Sequence, residues 1–429
     1  MKFRDYLATL EAEDRLTKES KPVDPRLEVA SLLRRHEGHP ILFEHVNGSE
    51  IPIAGNLLST MELLSSSLGF SKGDWIPRLE GAIQHPGKVS EGSGNFEYFE
   101  PDLSLLPILT HYPKDLAPYI TSGVVFSRRG EWKNLSFHRL ARIGKDRLVG
   151  RLVEQRDLHS MYLEARDHGE DVDVSVAIGN RSGVLIAGAT SVDRGTYELG
   201  IAAALEPGIE VTRAKTNSTS YPVDSEIVLE GRILHDETEP EGPFVDLTNT
   251  YDVVRRQPVF VVDRIACRPG AVYHALLPGG TEHRLLMGAP RTPTIDRALR
   301  SAGLDVRNVY LTEGGSGWLD AVVSIVKRSD SDPKRAIESA IRGHRSLKKI
   351  TVVDSDVDVT DPNEVNYAVT MYWEAGKEFV WKDVKGSSLD PMAAPDGTGS
   401  KIGIDATRPL VVPPEKELKM RRAEQVPGT

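Results

Sequence analysis

Along the first hundred residues, apolar positions recur at helical spacing twice. Phe3, Leu7 and Leu10 do so in MKFRDYLATLEAEDRL, and a second run is LEVASLLRRHE. Positions three or four apart share one face of a helix, so both stretches predict amphipathic helices. The short apolar blocks in HPILFEHV and IPIAGNLL predict strands. Residues 1–104 therefore read as a small α/β region, ending in a loop or linker at HPGKVSEGSGNFE.

From 105 to 288 the pattern turns to β-branched runs between turn residues: SGVVFSRR, NLSFHRLARI, DVSVAIG, GVLIAGAT, SEIVLEGRIL and PVFVVDRIACR. These predict strands, with helices at LHSMYLEARDHG and YELGIAAAL, and a β-barrel-like domain is the simplest assembly. Residues 289–385 alternate strand and helix, as in DVRNVYLTE, LDAVVSIVKR and DPKRAIESAIRGHR, which predicts a separate α/β domain. Residues 386–429 form a Gly-, Ser- and Pro-rich tail containing GTGSKIGIDAT. The predicted class is a multidomain α+β or α/β protein.

At 429 residues, with 39% hydrophobic and 27% charged positions, the chain suits several folded domains and not general disorder. A net charge of −10 argues against wrapping nucleic acid or an anionic membrane. No apolar run approaches the ~18 residues of a membrane helix, and the N-terminus lacks the core of a signal peptide. The single cysteine, Cys267, excludes an intrachain disulfide framework and multi-cysteine metal patterns, so a cytoplasmic setting is expected.

The chain has no GxxxxGK[ST] loop, GxGxxG fingerprint or GxSxG elbow. Asp354, Asp356 and Asp358 imitate a calcium loop, but Val359 and Val365 stand where its glycine and bidentate glutamate belong. The GGSG of TEGGSGWLD reads as a turn.

Chemistry concentrates in ETEPEGPFVDLT. Pro240, Gly242 and Pro243 restrict the backbone around Glu241, with Asp246 close behind. In NLSFHRLARI, strand alternation from Leu135 puts Phe137, Arg139, Ala141 and Ile143 on one side, which places Arg139 among apolar neighbours. A buried guanidinium needs a carboxylate, and Glu241 and Asp246 are the candidates. Such a trio is either a structural ion-pair network or an arrangement that keeps one acid ionised and lets another carry a proton near neutral pH.

FEHVNG, IAGNLL, NLSFHR, SEIVLEGRI, PEGPFVD, GSSLDP and GSKIGIDAT, in this order, resemble the UbiD family of decarboxylases, particularly its shorter archaeal branch. The resemblance implies a central split β-barrel that binds prenylated FMN and a C-terminal α/β oligomerisation domain. It also implies a divalent metal, usually Mn²⁺, between protein and flavin phosphate, often with K⁺ alongside. Asn134 matches the family's metal asparagine and Glu198 its metal glutamate. For the third ligand the sequence departs from the family histidine: an ungapped match gives Asp157, with His159 the rival. Ser136, Phe137, Arg139, Arg156 and Lys401 are the implied cofactor contacts, Lys401 by match to a lysine that reaches the flavin phosphate. Glu241 and Asp246 match the paired acids, and Asp246 is the preferred proton donor over Glu241.

The resemblance further implies a flavin prenyltransferase as cofactor supplier and a homodimer or homohexamer. The expected substrate is a small carboxylic acid, either trans-anhydromevalonate 5-phosphate, giving isopentenyl phosphate, or a prenylated hydroxybenzoate. Arg142, Arg151 and Arg156 are the basic group expected for a phosphorylated substrate. A non-catalytic flavin-binding scaffold is the reading from another class.

Overall fold

The β-branched runs of the middle of the chain pair into one antiparallel sheet, as their content of Val and Ile predicts. Its strands are β1 (Glu97–Phe99), β2 (Tyr119–Ile120), β3 (Val124–Arg129), β4 (Trp132–Phe137), β5 (Leu140–Arg142), β6 (Arg147–Gly150), β7 (Val172–Ile178), β8 (Ile227–Glu241) and, further on, the long strand Arg255–Cys267. The order is β2-β5-β6, then Arg255–Cys267, then β8-β7-β3-β4, with β1 pairing Arg255–Cys267 as a branch. The path runs from β2 to β4 without closing into a barrel among the described residues.

Both faces of this sheet are covered. Val125, Val174, Val176 and Leu229 pack into one core, while Val124, Phe126, Ala177 and Val228 pack into another. Burial on both sides explains why these strands read as continuous apolar runs rather than alternating ones. Helix α1 (Asp157–Asp167) contributes Leu158, Met161 and Ala165 to the first core. Helices α2 (Ser182–Ala189) and α3 (Leu199–Leu205) pack in the second.

The computed structural model describes residues 1–420, in two compact units, Met1–Pro290 and the chain from Arg291 onward. The first hundred residues belong to the first unit: Phe3, Leu7 and Leu10 of the N-terminal helix share a core with Val124 and Phe126, and β1 joins the large sheet. Two expectations fail. GVLIAGAT is helix α2 and not a strand, because all eight residues from Ser182 to Ala189 are buried and no polar face marks its period. The run NLSFHRLARI is broken between β4 and β5, so His138 and Arg139 lie in an irregular break instead of a continuous strand.

The second unit is built on a five-stranded mixed sheet: Val306–Leu311, Asp320–Ile325, Lys349–Asp354, Thr398–Ala406 and Phe379–Lys385 in spatial order. Part of the stretch expected as a tail, Thr398–Ala406, is thus an interior strand, parallel to Lys349–Asp354 and antiparallel to Phe379–Lys385. Ile337 and Ala340 of helix Asp332–Gly343 pack on Ile350, Val352 and Val323.

Candidate active site

Strand β8 delivers Glu241 at its last position. Gly242 follows with φ +95, and a Cβ there would lie 3.0 Å from the Val253 carbonyl oxygen, so the left-handed backbone and the close approach both call for glycine. A short hairpin then forms from β9 (Phe244–Val245) and β10 (Tyr251–Asp252), after which β11 (Arg255–Cys267) re-enters the sheet. The Asp246 backbone N–H donates to the Thr250 carbonyl at 3.0 Å, and Asn249 takes φ 60 in the turn. This hairpin carries two carboxylates, Asp246 and Asp252, to the end of β8.

Arg139 stands among three acids. Its Nε and Nη2 donate to Oε1 and Oε2 of Glu241 at 2.8 and 2.9 Å, Nη1 to Asp246 Oδ2 at 2.7 Å and Nη2 also to Asp252 Oδ2 at 2.9 Å. The Phe244 ring lies under the guanidinium, 4.6 Å from centroid to Cζ. Side-chain exposure is 0% for Glu241, 9% for Arg139, 22% for Asp246 and 19% for Asp252. Burial works against the Arg139 charge, but Glu241, then Asp246 and Asp252, raise its pKa above the ordinary guanidinium value. Tyr119 completes the cluster: its hydroxyl donates to Glu241 Oε1 at 3.3 Å and accepts from the Gly242 N–H at 3.2 Å.

Asp252 Oδ1 also accepts from Arg255 Nη1 at 2.8 Å. Burial would lift its carboxyl, but Arg255 and Arg139 hold it below the usual carboxylate range. Asp246 Oδ1 accepts its neighbour's N–H, from Leu247 at 2.7 Å. His283, on helix α4 (Thr281–Gly288), is half-buried and its Nδ1 accepts from the Gly279 N–H at 3.1 Å; burial lowers its pKa, with Asp246, Arg284 and Arg139 as its charged neighbours. Nearby in charge terms is His111, 4% exposed, whose two ring nitrogens have no hydrogen-bond partner. Burial, and then His283, pull its pKa down to about 3.

A second group lies just before Arg139 in sequence, on β4. Asn134 Nδ2 donates to Glu198 Oε1 and the Leu135 N–H to Glu198 Oε2, both at 2.9 Å. Ser136 Oγ donates to Asn134 Oδ1 at 2.8 Å and lies 2.9 Å from His138 Nε2. Glu198 caps α3, 4% exposed. Burial, against the backbone and Asn134 hydrogen bonds, pushes its pKa up to about 7, and the charge of Asp157 adds to the rise. His159, in contrast, has Glu154, Arg151 and Arg166 as charged neighbours, and burial lowers its pKa.

Arg156 Nη1 donates to Ser191 Oγ at 3.1 Å. The expected basic group disperses: Arg151 pairs with Glu154 at 2.8 Å, and Arg142 Nε turns to the Gly144 carbonyl at 3.3 Å. Lys401 sits in the second unit, 5% exposed, its ammonium donating to the carbonyls of Arg345 and Leu347. Phe137 ends β4, packed against the second core. Sequence reasoning missed Asp252, Tyr119 and Phe244. The turn residues Thr248, Asn249 and Thr250 were the available signal that Asp252 folds back beside Asp246.

The chain that carries these residues has the domains of a carboxy-lyase family. Models of the 3-octaprenyl-4-hydroxybenzoate carboxy-lyase N-terminal, Rift-related and C-terminal domains match residues 7–82, 84–281 and 284–406. The chain belongs to the UbiD family. Among its relatives are proteins named anhydromevalonate phosphate decarboxylase. That of Methanothermobacter thermautotrophicus is 41% identical over 98% of this chain and 100% of its own, and that of Methanosarcina mazei 41% over 97% and 98%. The fold is also similar to the UbiD-class enzyme HmfF from Pelotomaculum thermopropionicum in complex with FMN, with TM-score 0.95, 34% identity and coverage of 99% of this chain and 97% of that one. An evolved dimeric form of HmfF in complex with prFMN gives TM-score 0.90 at 32% identity, covering 98% of each chain.

Proposed function

We propose that this decarboxylase acts on trans-anhydromevalonate 5-phosphate and releases isopentenyl phosphate, with prenylated FMN as cofactor. The observation that carries the catalytic part is Arg139 clasped by Glu241 and Asp246. The substrate follows the names of relatives that match the chain nearly end to end. When bound, the modified flavin supplies the electron sink that side chains lack for a vinylic carbanion.

The chain's own residues do the rest. The bond from carbon to carboxylate breaks, CO₂ leaves, and the electron pair left on carbon takes a proton from Asp246. Glu241, fully buried, holds Arg139 in place from two points and fixes the hairpin that presents Asp246. Arg139 keeps the region of the departing carboxylate positive. Ser136, Phe137, Arg139 and Arg156 are the proposed flavin contacts. Lys401 is the proposed phosphate lysine, with two carbonyls already taking N–H groups from its ammonium.

The residues fit a divalent cation such as Mn²⁺. Glu198 is a buried carboxylate whose hydrogen-bond partners are the Asn134 amide and the Leu135 N–H, and the charge of Asp157 raises its pKa further. Asn134, Asp157 and Glu198 would offer it oxygen ligands, a donor set that suits a hard ion also bound to phosphate. Asp157 takes this place over His159 because its charge acts on Glu198. K⁺ belongs to the same reading.

By role, 1–104 is the N-terminal region, 105–288 the flavin-binding split barrel, 289–385 the oligomerisation domain and 386–429 the segment bearing the lysine. A flavin prenyltransferase as supplier, a cytoplasmic setting and a homodimer or homohexamer complete the proposal. No helix among the described residues is long and apolar enough to cross a membrane.

The test is CO₂ release by protein co-produced with a flavin prenyltransferase, offered trans-anhydromevalonate 5-phosphate and, in parallel, a prenylated hydroxybenzoate. Release from the first alone is expected. Release only from the second reassigns the substrate, and a yellow protein that releases nothing is a scaffold.

A further inference from the structure

The hairpin that carries Asp246 has little strength of its own. Its ladder consists of Phe244 opposite Asp252 and Val245 opposite Tyr251, and an isolated two-stranded ribbon is marginal in water. Arg139 holds it at the base, through Asp246 and Asp252. From helix α4, Arg284 Nε donates to the Leu247 carbonyl at 3.4 Å. The tip is held by groups outside that cluster. Arg34 Nη2 donates to Asn249 Oδ1 at 3.3 Å and to the Tyr112 hydroxyl at 2.6 Å, while Nη1 donates to Glu37 Oε1 at 2.7 Å and to the Gly279 carbonyl at 3.4 Å. The Tyr112 hydroxyl has one proton to give, and the Pro278 carbonyl at 2.7 Å is nearer than Asn249 Oδ1 at 3.3 Å. The Tyr112 ring meets Tyr251 of β10 edge-on, with centroids 6.4 Å apart.

One guanidinium thus joins the hairpin tip, Tyr112 and the Pro278–Gly279 turn ahead of α4. The fit is close, since a Cβ on Gly279 would come 3.0 Å from Asn249 Oδ1 and 3.1 Å from the Asp246 carbonyl oxygen. Arg34 rides on the helix Glu28–Arg35, whose Val29, Ala30 and Leu33 are buried in the first core, so it is a fixed point of reference. The tip cannot move without Asp246: the Asn249 N–H donates to the Asp246 carbonyl at 2.8 Å, and the Asp246 N–H to the Thr250 carbonyl at 3.0 Å.

We propose that Arg34 and Asn249 are positioning residues, a latch that holds the hairpin tip so that Asp246 keeps the place from which it delivers its proton. A proton donor works within hydrogen-bond reach, about 2.6–3.2 Å, and about 1 Å of misplacement costs on the order of 100-fold in rate. This inference rests on the decarboxylase reading above.

The experiment is steady-state CO₂ release by flavin-loaded enzyme, on whichever candidate acid the wild type turns over, with flavin absorbance and melting temperature recorded alongside. The variants are Asn249→Gly, Asn249→Asp, Arg34→Met and the double variant Arg34→Met with Asn249→Gly. Glycine adopts the φ of 60 at this position without strain and deletes the acceptor, whereas aspartate tolerates that φ and keeps an acceptor. Asn249→Gly and Arg34→Met should each lower kcat about tenfold at wild-type KM and flavin content, and Asn249→Asp should stay near wild type. The double variant should be no slower than the slower single one, because both remove the same contact. A merely structural role lowers the melting temperature and leaves kcat in place. Should Arg34→Met not fold, Tyr112→Phe, which takes the hydroxyl from Arg34 and keeps the ring, replaces it. Given an active wild type, four outcomes each overturn this inference alone: kcat retained in Asn249→Gly, Asn249→Asp as slow as Asn249→Gly, losses that multiply in the double variant, or a change confined to KM or flavin content. A loaded wild type inert on both candidate acids overturns the decarboxylase reading and the inference with it.

Discussion

Both oxygens of Glu241 accept hydrogen bonds from Arg139, at 2.8 and 2.9 Å, with the carboxylate wholly buried. A two-point pair of this kind fixes the plane of the guanidinium as well as its position. Arg139→Ala strands Glu241 without a counter-charge and should cost about 3–5 kcal/mol of stability. Arg139→Lys keeps the charge but loses the fork, so it should fold and lose most activity. Urea denaturation with CO₂ release measures both, and an Arg139→Lys enzyme at full rate would remove the fork from the mechanism.

Asp246→Asn should keep its flavin absorbance and fold while losing turnover. Its side chain is partly exposed and accepts few hydrogen bonds, so an amide fits the space. Retained turnover would disqualify it as the donor.

Metal binding should separate the two rival ligands. Asp157→Asn should lower the Mn²⁺ content of purified protein about 10-fold or more, whereas His159→Asn should leave it unchanged. Elemental analysis decides, and the reverse outcome assigns the site to the histidine.

His111 makes a prediction in acid. Its folded pKa of about 3 lies below the ordinary histidine value of 6.5, so the unfolded chain binds the proton first as pH falls. Its contribution is intact above about pH 6.5 and shrinks by about 1.4 kcal/mol per pH unit below it, a loss of about 2 kcal/mol at pH 5. Comparing urea midpoints of wild type and His111→Phe at pH 7 and 5 isolates the effect. The variant should lose less stability on acidification; equal losses would show that the ring is not kept neutral.

Much of the site was legible because burial of a charge leaves a trace in sequence. Arg139 stood in an apolar run, and Glu241 sat in a frame of Pro240, Gly242 and Pro243. Arg139 nonetheless does not lie on a continuous strand, since the strand ends at Phe137 and Arg139 falls in the irregular break before Leu140. Asp252 was not found because its role depends on a hairpin, and pairing across a turn is a tertiary fact that local pattern only hints at. GVLIAGAT misled for a related reason: a helix covered on every side shows no period, and its β-branched residues and glycines then suggest a strand. Glu198 and Asn134, in contrast, were placed by motif and do meet, at 2.9 Å.

The strand Thr398–Ala406 lies between Lys349–Asp354 and Phe379–Lys385, yet it comes after both in the chain. On the ribosome, therefore, the second sheet cannot join its edge strand Phe379–Lys385 to the rest until translation has passed Ala406. Nascent chains halted earlier would present Lys349–Asp354 as an open edge, a template for misjoined strands. Vectorial synthesis thus makes the last-made strand the one that closes the sheet.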